Sequence, residues 1–301
     1  MTPFVLGTRR SALAVRQTED IVGRLRRAHP DMEFSLQHIH TTADRQPEAP
    51  FERLGEIGFF VKELEVALLE GRIDAAVHSM KDLPTTDTPD LVVAAIAQRE
   101  DPRDVLVARK NSTLASLPRR ARVGTSSPRR TAFLLAFRAD LEIVAIRGNV
   151  ETRVRKVDGG ELDAVCLAGA GLRRIGLDER ISEWLPLEVM LPAPGQGALG
   201  VQVRAGNADA RRIAGSADDA AARITVEAER AVLRRLQGGC RLPMGAFAEL
   251  TGQRVSLRAA VVSPDGRAII RSERTGDAAD AVVLGQAVGE DLLSSGAAAL
   301  I

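Results

Sequence analysis

Residues 122–130 read RVGTSSPRR. Val123 between polar neighbours gives a short strand, and Gly124 turns the chain. Three hydroxyl residues follow, Thr125, Ser126 and Ser127. Pro128 suits the first position of a helix, and Ser127 suits the cap before it. The free N–H groups and partial positive charge of a helix N-terminus bind anions. Residues 4–11, FVLGTRRS, repeat this order. Phe4–Gly7 is predicted as a strand, and Ala14, Ile21, Leu25 and Ala28 lie on one face of the helix that follows. Two ordinary helix caps would give the same letters. The pair, each with arginines beside it, fits two similar lobes around a cleft that grips a ligand with several negative groups.

Outward from these two turns the alternation continues. Strands are predicted at Glu33–His40 and Ile73–Val77, with a helix marked by Val61, Leu64 and Leu68 and closed by Gly71. Such β-α-β order implies a mainly parallel sheet covered by helices. The pattern restarts at Asp104–Ala108, with further strands at Arg122–Gly124, Leu141–Ile146 and Asp163–Leu167 and helices over Ser127–Arg138 and Asn149–Val157. The glycines and prolines of Leu191–Gly200 (LPAPGQGALG) mark a crossing segment, and Gly200–Val203 returns as a strand to the first domain. The last part differs. Ile224, Ala228, Ala231 and Val232 share one helical face, Gly238-Gly239 stop the helix, and strands at Val255–Val262 and Ala268–Arg274 flank the Pro264-Asp265-Gly266 turn before a helix over Ala278–Leu293.

The chain has 301 residues and a formal net charge of +1, with 3% aromatic residues and no Tyr. A nucleic-acid binder usually carries a basic excess and stacking aromatics, so that class is excluded. Two cysteines make no disulfide framework and fit a reducing cytosol. The N-terminus MTPFVLGTRR lacks the apolar run of a signal peptide, and no apolar stretch approaches the ~20 residues that span a bilayer. A cytoplasmic protein without membrane contact is expected. Of the 41 basic residues, Lys occurs only at Lys62, Lys81, Lys110 and Lys156. Codon bias accounts for most of that preference but not for arginines gathered beside glycine turns. A guanidinium binds carboxylate or phosphate in a two-pronged fork.

Several segments carry chemistry. His78–Pro84 (HSMKDLP) follows a predicted strand, and ligands of open α/β sheets bind beyond the carboxyl ends of strands. Lys81 and Asp82 are expected on different sides of an extended segment, one for an anion and one for a cation; taken alone the segment equally fits a solvated turn. Arg147-Gly148-Asn149, with Arg153 and Arg155, opens a helix that Asn149 caps. Arginine at a helix start opposes the macrodipole unless an anion lies between them. Arg173-Arg174 end another short helix. Cys240 follows two glycines and adjoins Arg241, a setting that lowers a thiol pKa and favours reaction, whereas Cys166 sits in an apolar run and reads as core. GxSxG, P-loop and HExxH motifs are absent. His38 and His40 share a strand face without further ligands, so no metal site is expected.

These segments in this order resemble the porphobilinogen deaminase family: GTRRS (7–11), FVKELE (60–65), VHSMKDLP (77–84), REDPRD (99–104), GTSSPRR (124–130), RGNV (147–150), LPAPGQGALG (191–200) and GGC (238–240). The resemblance runs from residue 4 to the last helix. It implies two α/β domains like those of periplasmic binding proteins, around a cleft, and a small C-terminal α+β domain. The expected boundaries are 1–97 with 198–216 for domain 1, 98–197 for domain 2 and 217–301 for domain 3. It further implies a monomeric transferase that joins four porphobilinogen units into hydroxymethylbilane with loss of ammonia, primed by a dipyrromethane cofactor on a thioether at Cys240. Asp82 matches the catalytic aspartate. Ser11, Lys81, Asp82, Thr125, Ser127, Arg129, Arg130, Arg147, Gly148, Asn149 and Gln196 match cofactor-binding positions. Arg9, Ser11, Arg147, Arg153 and Arg174 match substrate-binding ones. Each pyrrole carries an acetate and a propionate, so a set rich in Arg suits the growing chain. Two departures stand out: Ile57 replaces a common Lys, and Gln237 replaces a frequent Glu before the cysteine segment. A cytosolic two-lobe protein that binds a small anion without catalysis is the alternative, and it has no use for Cys240.

Overall fold

The computed structural model describes residues 3–39, 61–109, 112–237 and 242–300. Cys240, with Gly238, Gly239 and Ile57, lies outside these residues. The chain divides into two compact units, residues 1–99 with 198–223 and residues 100–197 with 224–301.

The first unit is built on a five-stranded sheet. Its strands are β1 (Phe4–Thr8), β2 (Phe34–His38), β3 (Ala75–Ser79), β4 (Leu91–Ile96) and β10 (Leu199–Arg204), in the order β2-β1-β3-β10-β4. Helix α1 (Ala12–Ala28) buries Ile21, Val22 and Leu25 against one face, with Leu6, Ala75 and Val77 beneath, and α6 (Ala208–Gly215) joins the same core through Ala210 and Ile213. Helix α2 (Lys62–Leu69) covers the other face with Leu64, Ala67 and Leu68 over Ile73 and Ala76. β1, β2 and β3 are parallel, as the β-α-β reading requires, but β10 runs antiparallel to both β3 and β4. The sheet is therefore mixed, because the strand that returns from the other unit enters from the opposite end. β4, which carries no alternating pattern, was not expected from the sequence.

The second unit repeats the plan. β5 (Asp104–Ala108), β6 (Arg122–Gly124), β7 (Glu142–Val144), β8 (Ala164–Ala168) and β9 (Glu183–Trp184) form a sheet in the order β7-β6-β8-β5-β9. β6 is parallel to β7 and β8, while β5 is antiparallel to β8. Helix α3 (Pro128–Phe137) packs on one face; α4 (Val150–Asp158) and α5 (Gly169–Arg174) pack on the other. Cys166 is fully buried in β8, as its apolar run predicts, 4.0 Å from Met190 Sδ. An antiparallel sheet, β11 (Met244–Thr251), β12 (Arg254–Val262) and β13 (Ile269–Asp277), has a core of its own with α7 (Ala220–Arg235) and α8 (Ala281–Ser294). The strand β11 is an addition to the sequence reading. Helix α7 ends before Gly238, and Gln237 takes a positive φ of 51°. None of the described helices is long and apolar enough to cross a membrane.

One ionisable side chain inside the first unit carries a stability consequence. His78 in β3 is buried, and burial, against a weaker opposing hydrogen bond to Gln202, pushes its pKa down to about 4. The unfolded chain takes up this proton near the ordinary value of 6.5, well before the folded one does. The stabilisation is therefore complete above about pH 6.5 and is lost as the pH falls towards 4, amounting to roughly 3 kcal/mol for this group. Urea unfolding of the parent and a His78→Gln variant at pH 7 and pH 4 should show this loss in the parent only; equal slopes would remove His78 as its cause.

Candidate anion-binding site

In both sheets the expected site residues gather at the carboxyl ends of adjacent parallel strands. In the first unit β1 runs into Arg9 and Ser11, and β3 runs into Lys81 and Asp82. Ser11 caps α1, its Oγ accepting from Ala14 N at 3.3 Å. Lys81 and Asp82 do not lie in an extended segment, as the sequence reading had it. Met80–Asp82 form a 3₁₀ turn, because Met80 turns inward and Leu83 N bonds back to Met80 O. Lys81 is half-buried and Asp82 exposed.

In the second unit β6 runs into Thr125–Ser127, β7 into Arg147–Asn149 and β8 into α5. Ser127 caps α3 with Pro128 in its first turn, and Asn149 caps α4, its Oδ1 accepting from Thr152 N at 2.8 Å. Thr125 is buried, with its Oγ1 accepting from Ser127 N at 3.2 Å. Ser126 clamps the two loops together: its Oγ accepts from Ile146 N at 2.9 Å and donates to Ile146 O at 2.5 Å. Arg147 is half-buried, while Gly148 and Asn149 are exposed. Arg174 reaches from α5 to Gly197 O at 2.7 Å, on the crossing segment.

Beneath this rim lies Asp104, the first residue of β5, with none of its surface exposed. Arg129 Nη1 donates to Asp104 Oδ2 at 2.6 Å and to Leu191 O at 2.7 Å. Arg130 Nε donates to Asp104 Oδ1 at 2.9 Å. Gln196 Nε2 donates to Asp104 Oδ1 at 3.1 Å and to Pro102 O at 2.7 Å. Burial disfavours the Asp104 charge, but the two guanidiniums and these hydrogen bonds outweigh it and hold its carboxyl well below the usual carboxylate range. The sequence reading missed Asp104. Its signal was an acid opening an otherwise apolar strand, DVLVA. Glu229 of α7 was missed too. It is buried and accepts from Gly195 N at 2.8 Å and Ala248 N at 2.9 Å, tying the crossing segment to β11.

The two neighbouring arginines thus have different surroundings. Arg129 is bound to a buried acid and to a backbone carbonyl. Arg130 shares that acid and also bears on Arg153. Arg153 Nε donates to Gly148 O at 2.9 Å, and burial, followed by the charge of Arg130, pushes the Arg153 pKa down to about 10. Two cations that repel each other under partial desolvation favour an anion between or beside them. The donor set of hydroxyls, helix N-termini and guanidiniums suits carboxylates. No group of three or more potential metal ligands occurs among the described residues.

Duplicated α/β sheets whose helix starts present hydroxyls and arginines have the donor chemistry that suits a small polyanion. Residues 4–212 match the family described as porphobilinogen deaminase, dipyromethane cofactor binding domain, and residues 223–294 match its C-terminal domain. The porphobilinogen deaminase of Roseiflexus sp. (strain RS-1) is 48% identical over 298 residues, covering 99% of this chain and 98% of the relative. That of Desulforudis audaxviator (strain MP104C) is 45% identical over 297 residues, covering 99% and 96%. Among solved structures, the Bordetella pertussis BvgS VFT2 domain is 15% identical with a TM-score of 0.44, covering 71% of this chain and 85% of that one. The chain belongs to the porphobilinogen deaminase family. Its activity is that of a transferase of tetrapyrrole biosynthesis, and its cofactor is a dipyrromethane. Family membership sets aside the reading of a binding protein without catalysis.

The unequal surroundings of the arginines lead to unequal effects. Arg129→Leu breaks a buried pair and should cost about 3 kcal/mol of folding stability. Arg153→Leu removes a poorly compensated cation and should cost less than about 1 kcal/mol. Urea midpoints of the two variants decide this, and the reverse order would contradict the account.

Proposed function

We propose that the residues at these strand ends divide the work of building hydroxymethylbilane from four porphobilinogen units, with ammonia lost at each addition. When bound, the dipyrromethane supplies the primer to which the first unit is joined. Cys240 holds it through a thioether. Ser11, Lys81, Thr125, Ser127, Arg130, Arg147, Gly148, Asn149 and Gln196 hold its carboxylates and orient it, and Arg129 acts with them chiefly by supporting Arg130 through Asp104. Arg9, Ser11, Arg147, Arg153 and Arg174 bind the acetate and propionate of the incoming substrate. The observation that carries this reading is the set of capping hydroxyl and amide side chains and arginines at the strand ends of both sheets, in a chain whose residues 4–212 match a dipyrromethane cofactor binding domain.

Asp82 is the catalytic carboxylate of this reading. As the aminomethyl carbon of porphobilinogen loses ammonia, positive charge develops on that carbon and its pyrrole ring. A fixed carboxylate beside it lowers the barrier, and it can also bond pyrrole N–H and receive a proton. Lys81 stands next to Asp82 and offers a cation to a carboxylate of the same substrate. The chain acts as a cytoplasmic monomer on a small-molecule substrate, without nucleic acid or membrane. Its separate third core supports the division into domain 1 (1–97 and 198–216), domain 2 (98–197) and domain 3 (217–301).

Intact-mass measurement tests the attachment. The parent and Cys166→Ser should carry the added mass of a dipyrromethane, and Cys240→Ser should not, because a hydroxyl is a far poorer nucleophile than a thiolate. The opposite pattern would reverse the assignment.

Single-turnover ammonia release on holo-protein tests Asp82. Asp82→Asn keeps the shape but loses the charge and should be slower by about 100- to 1,000-fold. Asp82→Glu, whose charge is displaced by one methylene, should retain weak activity. An Asn variant as fast as the parent would leave Asp82 a turn residue.

A further inference from the structure

The turn that carries Asp82 begins where β3 ends, so whatever fixes His78 and Ser79 also fixes the root of the turn. Both faces of the sheet contribute. On the α1 face, Gln17 Nε2 donates to Ser79 Oγ at 2.9 Å. On the α2 face, His78 Nε2 lies 3.0 Å from Gln202 Oε1 in β10. Gly200 stands opposite His78 in the antiparallel ladder, and a Cβ added there would lie 2.4 Å from Met80 Sδ. The absent side chain leaves the hollow that Met80 fills, and Met80 N bonds to Ala198 O at 3.0 Å. Gln202 is two residues further along β10, on the same face, and reaches His78 diagonally.

The far end of this network fixes its polarity. Glu65 of α2 accepts from Gln202 Nε2 at 2.9 Å and from Thr88 Oγ1 at 2.9 Å. A carboxylate accepts only, so it draws the amide nitrogen of Gln202 towards α2 and leaves the amide oxygen facing His78. His78 answers by carrying its proton on Nε2. The chain of bonds runs from α2 through β10 to the last turn of β3, and it has one sense.

We propose that Gln202 is a positioning residue of the reaction: by accepting the Nε2 proton of His78 across the sheet, it sets the end of β3 and thereby the Met80–Asp82 turn. It touches none of the reacting atoms and acts through His78. The inference rests on the reading of Asp82 given above. Its physical basis is that a carboxylate working on a developing charge loses much of its effect when misplaced by about 1 Å. A turn rooted in a strand whose side chains are locked by a second set of hydrogen bonds holds such a position.

Gln202→Met keeps the length of the side chain and removes the amide. In holo-protein this variant should lose about tenfold or more in kcat for ammonia release, with KM changing by a smaller factor, since Lys81 shares the turn but the substrate-binding arginines are untouched. In apo-protein labelled with ¹⁵N, His78 should carry its proton on Nε2 in the parent and lose that preference in Gln202→Met. The sequence holds four histidines, which makes the resonance assignable. The double variant His78→Phe/Gln202→Met, which leaves no unsatisfied imidazole, should recover the thermal midpoint but not kcat. Parent-like kcat in Gln202→Met, an Nδ1-protonated His78 in the parent, or recovery of kcat together with the midpoint would each overturn the proposal. Asp82→Asn, measured alongside, separates the two readings. If it is slow while Gln202→Met is normal, only this inference fails; if it is as fast as the parent, the assignment of Asp82 fails and takes this inference with it.

Discussion

The arrangement at the strand ends of the second sheet depends on a carboxylate that water does not reach. Asp104 begins β5 with no exposed surface, and it remains charged because Arg129, Arg130 and Gln196 converge on its two oxygens. Removing any one donor leaves a buried charge partly uncompensated, a far larger cost than losing a surface ion pair. The cluster also joins pieces distant in sequence: the start of β5, the first turn of α3 and the crossing segment around Gln196. The position of Arg130 is therefore fixed from below.

The first unit solves the same problem without a buried ion pair. The root of the Asp82 turn is held by neutral hydrogen bonds, Gln17 to Ser79 on one face and His78 to Gln202 on the other, with Glu65 at the partly buried margin. A cation in the place of His78 would be available to pair with a nearby carboxylate, whereas a neutral imidazole is not. Burial keeps His78 in that neutral form. The two halves thus share an architecture but differ in what lies under the strand ends. A buried ion cluster underlies the arginines of one unit, and a chain of hydrogen bonds that ends on Glu65 underlies the aspartate turn of the other.

The crossing segment has a role beyond connection. Gly197 takes a φ of +91° against Glu100, where a Cβ would lie 2.4 Å from Glu100 O, so the crossing segment meets the loop before β5 at backbone distance. Arg174 donates to Gly197 O, Gln196 to Asp104, and Gly195 N to Glu229. Three successive residues therefore tie α5, β5 and α7 to one loop. Through Glu229 the loop is thus joined to the long helix α7 as well as to the second sheet.

Local sequence determined a great deal here. Ser11, Ser127, Pro128 and Asn149 were legible as helix starts because capping depends on a residue and its next three neighbours. Cys166 was legible as core from its apolar run, and the family from motifs spread along the chain. Tertiary structure decided what local patterns do not encode. The antiparallel sense of β10 and β5 follows from where the chain re-enters each sheet, and β4 shows no alternation because its burial is set by its neighbours. The 3₁₀ turn at Met80–Asp82 exists because Met80 finds a hollow over Gly200, more than a hundred residues away in the chain. Arg129 and Arg130 read alike as letters, and they differ only because Asp104 and the Leu191 carbonyl lie beside one and Arg153 bears on the other. A side chain's partners are fixed by proximity in space, and proximity in space is what folding adds to the sequence.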